Sequence, residues 1–306
     1  MKKILVTCGL LFIFIGVFLI RKNDITSYLN KYLNSNKVIS IEKNEYYRDY
    51  DFNFVQNTDN FYPKNYQDIL NIYYTVINSG NNSFTFYCSS KYKDCIRDVK
   101  ALANSQDTLS DINNYVHPYN GFSHIESEYN SLGKVTIQIT HNYTSEDINK
   151  INNKVNELYL ELYNNSLSIE DNIKIFHDYI INNSRYDSAR SDSKIENYKS
   201  DIAYGPLFEG YALCGGYTDL MQLFLEKMHV KNIRVSSDNH IWNVVFINNK
   251  WFHLDLTWDD PVASDGNDYL EYNYFLIDTN RLLELENTQH NFNLDHYSEL
   301  KRMIVK

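Results

Sequence analysis

The sequence predicts an α+β fold, and three observations point there. Apolar residues make up 43% of the 306 positions, enough for a substantial core. Only 4 Pro and 10 Gly stand against 27 Tyr and 16 Phe, which favours an ordered body over a linker-rich array. Stretches of helical spacing are interleaved with runs of period two, and no internal repeat is visible. The length suits one large or two modest domains.

The first element is an apolar stretch. Lys2 and Lys3 precede uncharged residues from Ile4 to Ile20, closed by Arg21 and Lys22. Rising about 1.5 Å per residue, this stretch reaches about 26 Å, enough to cross a bilayer core. No small-residue cleavage site follows Phe18-Leu19-Ile20-Arg21, and Cys8 lies near the start of the run rather than after it. Residues 1–22 therefore read as an uncleaved single-pass membrane anchor, not a cleaved signal peptide or lipoprotein leader. The flanking charges nearly balance, and the positive-inside rule slightly favours a body outside the cytoplasm. Residues 23–60, polar and Asn-rich, read as a stalk.

Residues 61–163 form a first α+β domain. Tyr66, Ile69, Leu70, Tyr73 and Val76 mark a helix ended by Gly80. Phe84 to Phe86 reads as a strand, and Tyr92 to Leu102 as a helix. His124–Tyr129 and Val135–Tyr143 alternate about a hairpin turn at 131–134. Ile148, Ile151, Val155, Leu158 and Leu162 then share one helical stripe, capped by Thr144 or Ser145. Cys88 and Cys95 lie close across a strand-to-helix loop. A disulfide there fits an oxidising compartment, and two separate buried thiols are the alternative. If they pair, Cys214 is a lone thiol outside the anchor.

Residues 164–306 carry the chemistry. A helix opens at Ser168, with Ile169, Ile173, Phe176 and Ile180 on one face. Cys214 stands in the first turn of another, which continues through Leu220, Leu223, Phe224 and Met228. Free amides and the partial positive charge of a helix N-terminus favour a thiolate there and offer donors to an oxyanion. Gly215 and Gly216 leave room beside the sulfur for a substrate backbone. Ile233 to Val235 is a short strand. Ile241–Ile247 and Lys250–Thr257 read as a hairpin turned by Asn248-Asn249. A two-residue turn sets Trp242 opposite Asp255, so His240 and Asp255 become diagonal neighbours on one face, roughly 7 Å apart at Cβ. One extra turn residue would send Asp255 to the other face. Nucleophile, base and orienting carboxylate are then all present.

Leu213-Cys214-Gly215-Gly216-Tyr217, His240-Ile241-Trp242-Asn243 and Trp251-Phe252-His253-Leu254-Asp255 through Pro261 resemble the three blocks of bacterial transglutaminase-like proteins. The order Cys, His, Asp fits as well, and so do the spacings of 26 and 15 residues. The resemblance spans residues 165–262, where His177 and Tyr186-Asp187 resemble the helix and loop before the nucleophile. It implies a papain-like core, a Cys-bearing helix packed on an antiparallel sheet, and acyl transfer to or from protein or peptide amides through a thioester. No cofactor is implied. Such sites often add a side-chain oxyanion donor. Neither Gln nor Trp stands at the right spacing before Cys214, which leaves Tyr186 and Tyr204, with Tyr186 preferred. Trp242, Trp251 and Trp258 read first as core aromatics, and Trp242, on the His240 face, is also a candidate to shield the site.

Other readings compete. A cysteine peptidase or amidase acting on cell wall shares the same triad, and a non-catalytic surface module would keep the fold for binding alone. His240, His253 and Asp255 also offer the donor set of a zinc site, but that reading leaves the Cys-Gly-Gly segment unexplained. No metal is expected. A net charge of -10 argues against a nucleic-acid partner. Nothing in the sequence sets the oligomeric state.

Overall fold

A computed structural model describes residues 39–89, 91–130, 133–262 and 269–303. The expected anchor at 1–22, and the first part of the expected stalk, lie outside these residues. No helix among the described residues is long and apolar enough to cross a membrane.

The fold mixes helices with mainly antiparallel sheets. Helix α1 (Tyr66–Asn78) is capped by the Asn65 side chain, and Gly80 follows with φ of 73°. Strand β1 (Ser83–Tyr87) leads to α2 (Cys95–Ala103) and α3 (Gln106–Asn113). Strands β2 (Phe122–Tyr129) and β3 (Lys134–His141) complete an antiparallel sheet in the order β1-β3-β2. Cys88 and Cys95 are joined by a disulfide. Helix α4 (Ser145–Leu162) starts with a reciprocal cap: Thr144 accepts from the Asp147 amide and Asp147 from the Thr144 amide. Ser168 caps α5 (Ile169–Asn182) by accepting from the Asp171 amide.

Strands β4 (Arg185–Tyr186) and β5 (Tyr211–Ala212) pair in parallel, flanking the short helix α6 (Ser188–Ser193) and a π-turn at Gly205–Glu209. Helix α7 (Cys214–Lys227) follows, then β6 (Asn232–Ser236), β7 (Ile241–Ile247) and β8 (Lys250–Leu254), antiparallel in that order. The β7–β8 turn places Asn248 and Asn249 at φ of 51° and 63°, as a tight two-residue hairpin turn requires. A one-turn helix α8 (Leu256–Asp259), helix α9 (Thr279–Glu284) and 3-10 turns at Thr288–His290 and Leu300–Met303 close the chain.

Two expectations change. The return strand ends at Leu254 rather than Thr257, because the Asp255 carboxylate turns to cap α8 through the Thr257 and Trp258 amides. Part of the expected stalk instead packs on the body. Phe52 and Val55 are buried, and the Arg48 guanidinium donates to the Tyr115 and Asn232 carbonyls and pairs with Glu226. Local polarity hid this, since burial here depends on partners far along the chain.

The apolar interior also departs from a boundary at 163/164. One cluster joins α1–α3 and β1–β3 to Ile233, Val235, Trp242, Val244 and Trp251 on one face of the β6–β8 sheet. The other joins α4, α5 and α7 to Val245, Ile247 and Leu254 on the opposite face. The sheet is therefore covered on both sides, by the first helices and sheet with the C-terminal segment on one and by α4, α5 and α7 on the other.

Candidate active site

Helix α7 delivers Cys214, and two bonds fix it against β7. Thr218 Oγ1 donates to the Ile241 carbonyl at 3.0 Å, and Asn243 Nδ2 donates to the Thr218 carbonyl at 3.1 Å. The helix has Leu213 as N-cap with no side-chain cap, so its first amides stay available to a ligand. Cys214 is half-buried and is the free cysteine of the described residues.

His240 precedes β7 and Asp255 follows β8, both buried, on the face that carries Trp242 and His253. His240 Nε2 lies 2.6 Å from Asp255 Oδ2. The Cys214 sulfur lies near enough to raise the same imidazole, and with Nε2 on Asp255 the nitrogen left for sulfur is Nδ1. Burial works against a charge on His240, but Asp255 and Cys214 outweigh it and lift the imidazole to about 10. Burial likewise pushes the Asp255 carboxyl up, but His240 and His290 more than reverse this and hold it well below the usual carboxylate range. The carboxylate accepts on both oxygens: Thr257 N at 3.0 Å on Oδ1, and two imidazoles on Oδ2.

The second imidazole is His290, at 2.7 Å from Asp255 Oδ2. It comes from the 3-10 turn Thr288–His290, 35 residues beyond its partner, in a polar stretch without periodicity. No local sequence signal marks it.

The other expected residues fall differently. Trp242 stacks on His240, with centroids 5.5 Å apart and planes 17° apart, but it is fully buried. It backs the imidazole instead of walling a substrate. Its indole N–H donates to His253 Nδ1 at 2.9 Å, and His253 Nε2 meets Thr279 Oγ1 at 3.1 Å. Burial and nearby His290 push His253 down to about 3, against a smaller opposing pull from Asp255, so it is a neutral link in the sheet.

Gly215 and Gly216 do not open space for a substrate. A Cβ on Gly215 would lie 2.6 Å from the Asp201 carbonyl oxygen, and one on Gly216 2.3 Å from that of Ser200. The chain's own segment 200–202 fills that side, with Leu213 N donating to the Ser200 carbonyl at 2.7 Å. That segment is held in turn by Asp187, which accepts from Ser200 Oγ at 2.7 Å, and by Arg190, which donates to Asp201 at 2.7 Å.

The Tyr186 hydroxyl reaches Ser191 Oγ at 3.5 Å, and the Tyr204 ring packs on Phe208 beneath the Lys199 ammonium. Both tyrosines thus border the segment that flanks the start of α7. Buried His177 bonds Asp178 at 2.9 Å and Asp259 at 3.2 Å, tying α5 to the end of the hairpin.

Among the described residues, His240, Asp255 and His290 form a cluster of metal-ligating type. Its three donor atoms already satisfy one another by hydrogen bonds, and His253 lies outside it.

No protein-family model matches the chain, and no curated protein matches it. Among solved structures, a transglutaminase crystal structure aligns at 15% identity over 48% of each chain, with a TM-score of 0.34. A candidate cysteine protease from Cytophaga hutchinsonii aligns at 14% identity over 44% of this chain and 61% of its own, with a TM-score of 0.29. The chain thus spans less than two thirds of either protein's length. Similarity at this level carries no information about activity.

Proposed function

We propose that this chain is a thiol acyl-transfer enzyme of transglutaminase-like type, acting on protein or peptide amides, with Cys214 as nucleophile, His240 as acid–base and Asp255 as its orienting carboxylate. The observation that supports the reading is the 2.6 Å pairing of His240 Nε2 with buried Asp255, beside a half-exposed sulfur near enough to raise the same imidazole.

The steps follow from the positions of the protons. With the proton already on His240 Nδ1, Cys214 Sγ bonds to the amide carbonyl carbon as the carbonyl π electrons move to oxygen. The oxyanion so formed is met by the uncapped amides at the start of α7. As the C–N bond breaks, His240 gives its proton to the departing amine and a thioester remains. Water or a second amine then attacks, with His240 taking its proton and returning it to sulfur as the C–S bond breaks. Asp255 holds Nε2 throughout, so Nδ1 stays aimed at sulfur.

The body is placed outside the cytoplasm, anchored by residues 1–22. The apolar stretch supports the anchor, and the Cys88–Cys95 disulfide suits an oxidising compartment. The test is iodoacetamide labelling of Cys214 in the full chain at pH near neutrality. His240→Ala is expected to slow labelling about tenfold or more. Equal, sluggish labelling of both proteins would remove the mechanism.

A further inference from the structure

We propose that His290 is a fourth member of this site: a positioning residue, supplied by the C-terminal segment, that acts on the base through Asp255. The inference rests on the catalytic reading above and assigns it a component with no counterpart in the three sequence blocks.

The geometry around the carboxylate carries it. Asp255 Oδ1 is held by backbone amides, while Oδ2 receives both His240 at 2.6 Å and His290 at 2.7 Å. The two rings meet at 89° with centroids 5.3 Å apart, so they hold the oxygen from different directions. Take His290 away, and Oδ2 is tied only to the base that it is meant to orient. Held then on Oδ1 alone, the carboxylate can rotate about that anchor and carry the imidazole away from sulfur. A displacement of about 1 Å at such a site lowers rates by roughly a hundredfold.

His290 is itself immobilised. Its ring stacks on Tyr274 at 4.8 Å, meets Trp242 edge-on at 4.9 Å and lies 5.9 Å from Trp258. Asn287 sets the turn by accepting from the Gln289 amide, and it donates to the Tyr274 hydroxyl at 3.2 Å.

Packing alone does not explain a histidine in this aromatic surround. Its Nδ1 is buried and has no hydrogen-bond partner among the described residues. Such an atom is a net cost to the folded state. A phenyl ring would fill the same space without it. What the imidazole adds is the Nε2–H, which a carboxylate must receive as acceptor.

Two variants separate the donor from the shape. His290→Phe keeps the ring and loses the N–H; His290→Gln loses the ring and keeps an amide donor near Nε2. In the full chain, His290→Phe is expected to fold but to melt lower, having lost a donor to a buried carboxylate, and to label Cys214 about ten- to a hundredfold more slowly. His290→Gln is expected to label within about threefold of wild type despite melting lower. Wild-type labelling in His290→Phe, or slower labelling in Gln than in Phe, overturns the proposal.

His240→Ala, run alongside, tells the two failures apart. Should it label at the wild-type rate, the catalytic reading is lost. Should it label slowly while His290→Phe labels fast, only the role of His290 is lost. Independently of any variant, 15N spectra of the histidine-labelled wild type are expected to show the His290 hydrogen on Nε2. A hydrogen on Nδ1 alone would overturn the assignment.

Discussion

Asp255 performs two tasks with one carboxylate. It caps α8 through Oδ1 and orients His240 through Oδ2. Asparagine is as good an N-cap as aspartate, so Asp255→Asn is expected to fold. If its oxygen keeps the cap, its amide nitrogen faces His240 Nε2 and forces the imidazole hydrogen onto Nδ1, the wrong tautomer for accepting the thiol proton. Labelling of Cys214 is then expected to fall about a hundredfold or more, with a much smaller change in melting temperature. The charges also set a pH dependence. His240 is raised from 6.5 to about 10, so the stability it contributes is complete below its unfolded pKa and is lost as pH rises through 10. Asp255 is depressed, so its contribution is present above the ordinary carboxylate range and fades on strong acidification. Melting temperatures measured on the alkaline side are expected to fall in the wild type and to flatten in His240→Ala. Cys214, His240 and Asp255 were legible as a set because each sits beside a local landmark: a Cys-Gly-Gly helix start and a two-residue turn. His290 was not, since only the path of the C-terminal segment brings it to Asp255.

At the level of elements, the long helices and the hairpin followed their sequence signals closely. Thr144 and Ser168 stop the preceding chain by capping, and the Asn248-Asn249 turn sets the register of β7 against β8. That register places Asn243 opposite Leu254 as its last pair, and Asp255 leaves the strand at the next residue. Short pieces such as α6, the π-turn at Gly205–Glu209 and α3 were illegible because one or two turns give too few residues for a period to show. Their form comes from tertiary bonds, among them those of Asp187 and Arg190 to residues 200–201. The glycines after Cys214 carry a consequence at this scale. Gly216→Ala would force a Cβ to 2.3 Å from the Ser200 carbonyl oxygen. It is expected to destabilise the protein by about 1–3 kcal/mol, measured by denaturant titration. If glycine served only substrate access, stability would be unchanged and labelling alone would fall.

On the scale of the whole molecule, the sequence suggested a stalk, a first α+β domain and a catalytic domain in succession. The packed body is less divisible. Arg48 reaches across to Asn232 and Glu226, and α4 packs with α5 and α7. Alternation along a strand shows which residues share a face, but it does not name what covers that face, so these long-range partnerships stayed hidden. The clearest of them is Asp111 on α3, whose carboxylate receives both the Tyr297 hydroxyl and the His296 ring. Asn114, one turn on, donates to the same tyrosine at 2.8 Å. This clasp fixes the C-terminal segment only a few residues after His290. The front of the polypeptide thereby holds the back of it in register with the reactive thiol. A fragment cut at 164 would keep every residue of the proposed triad and yet lose the peg on which its final segment hangs.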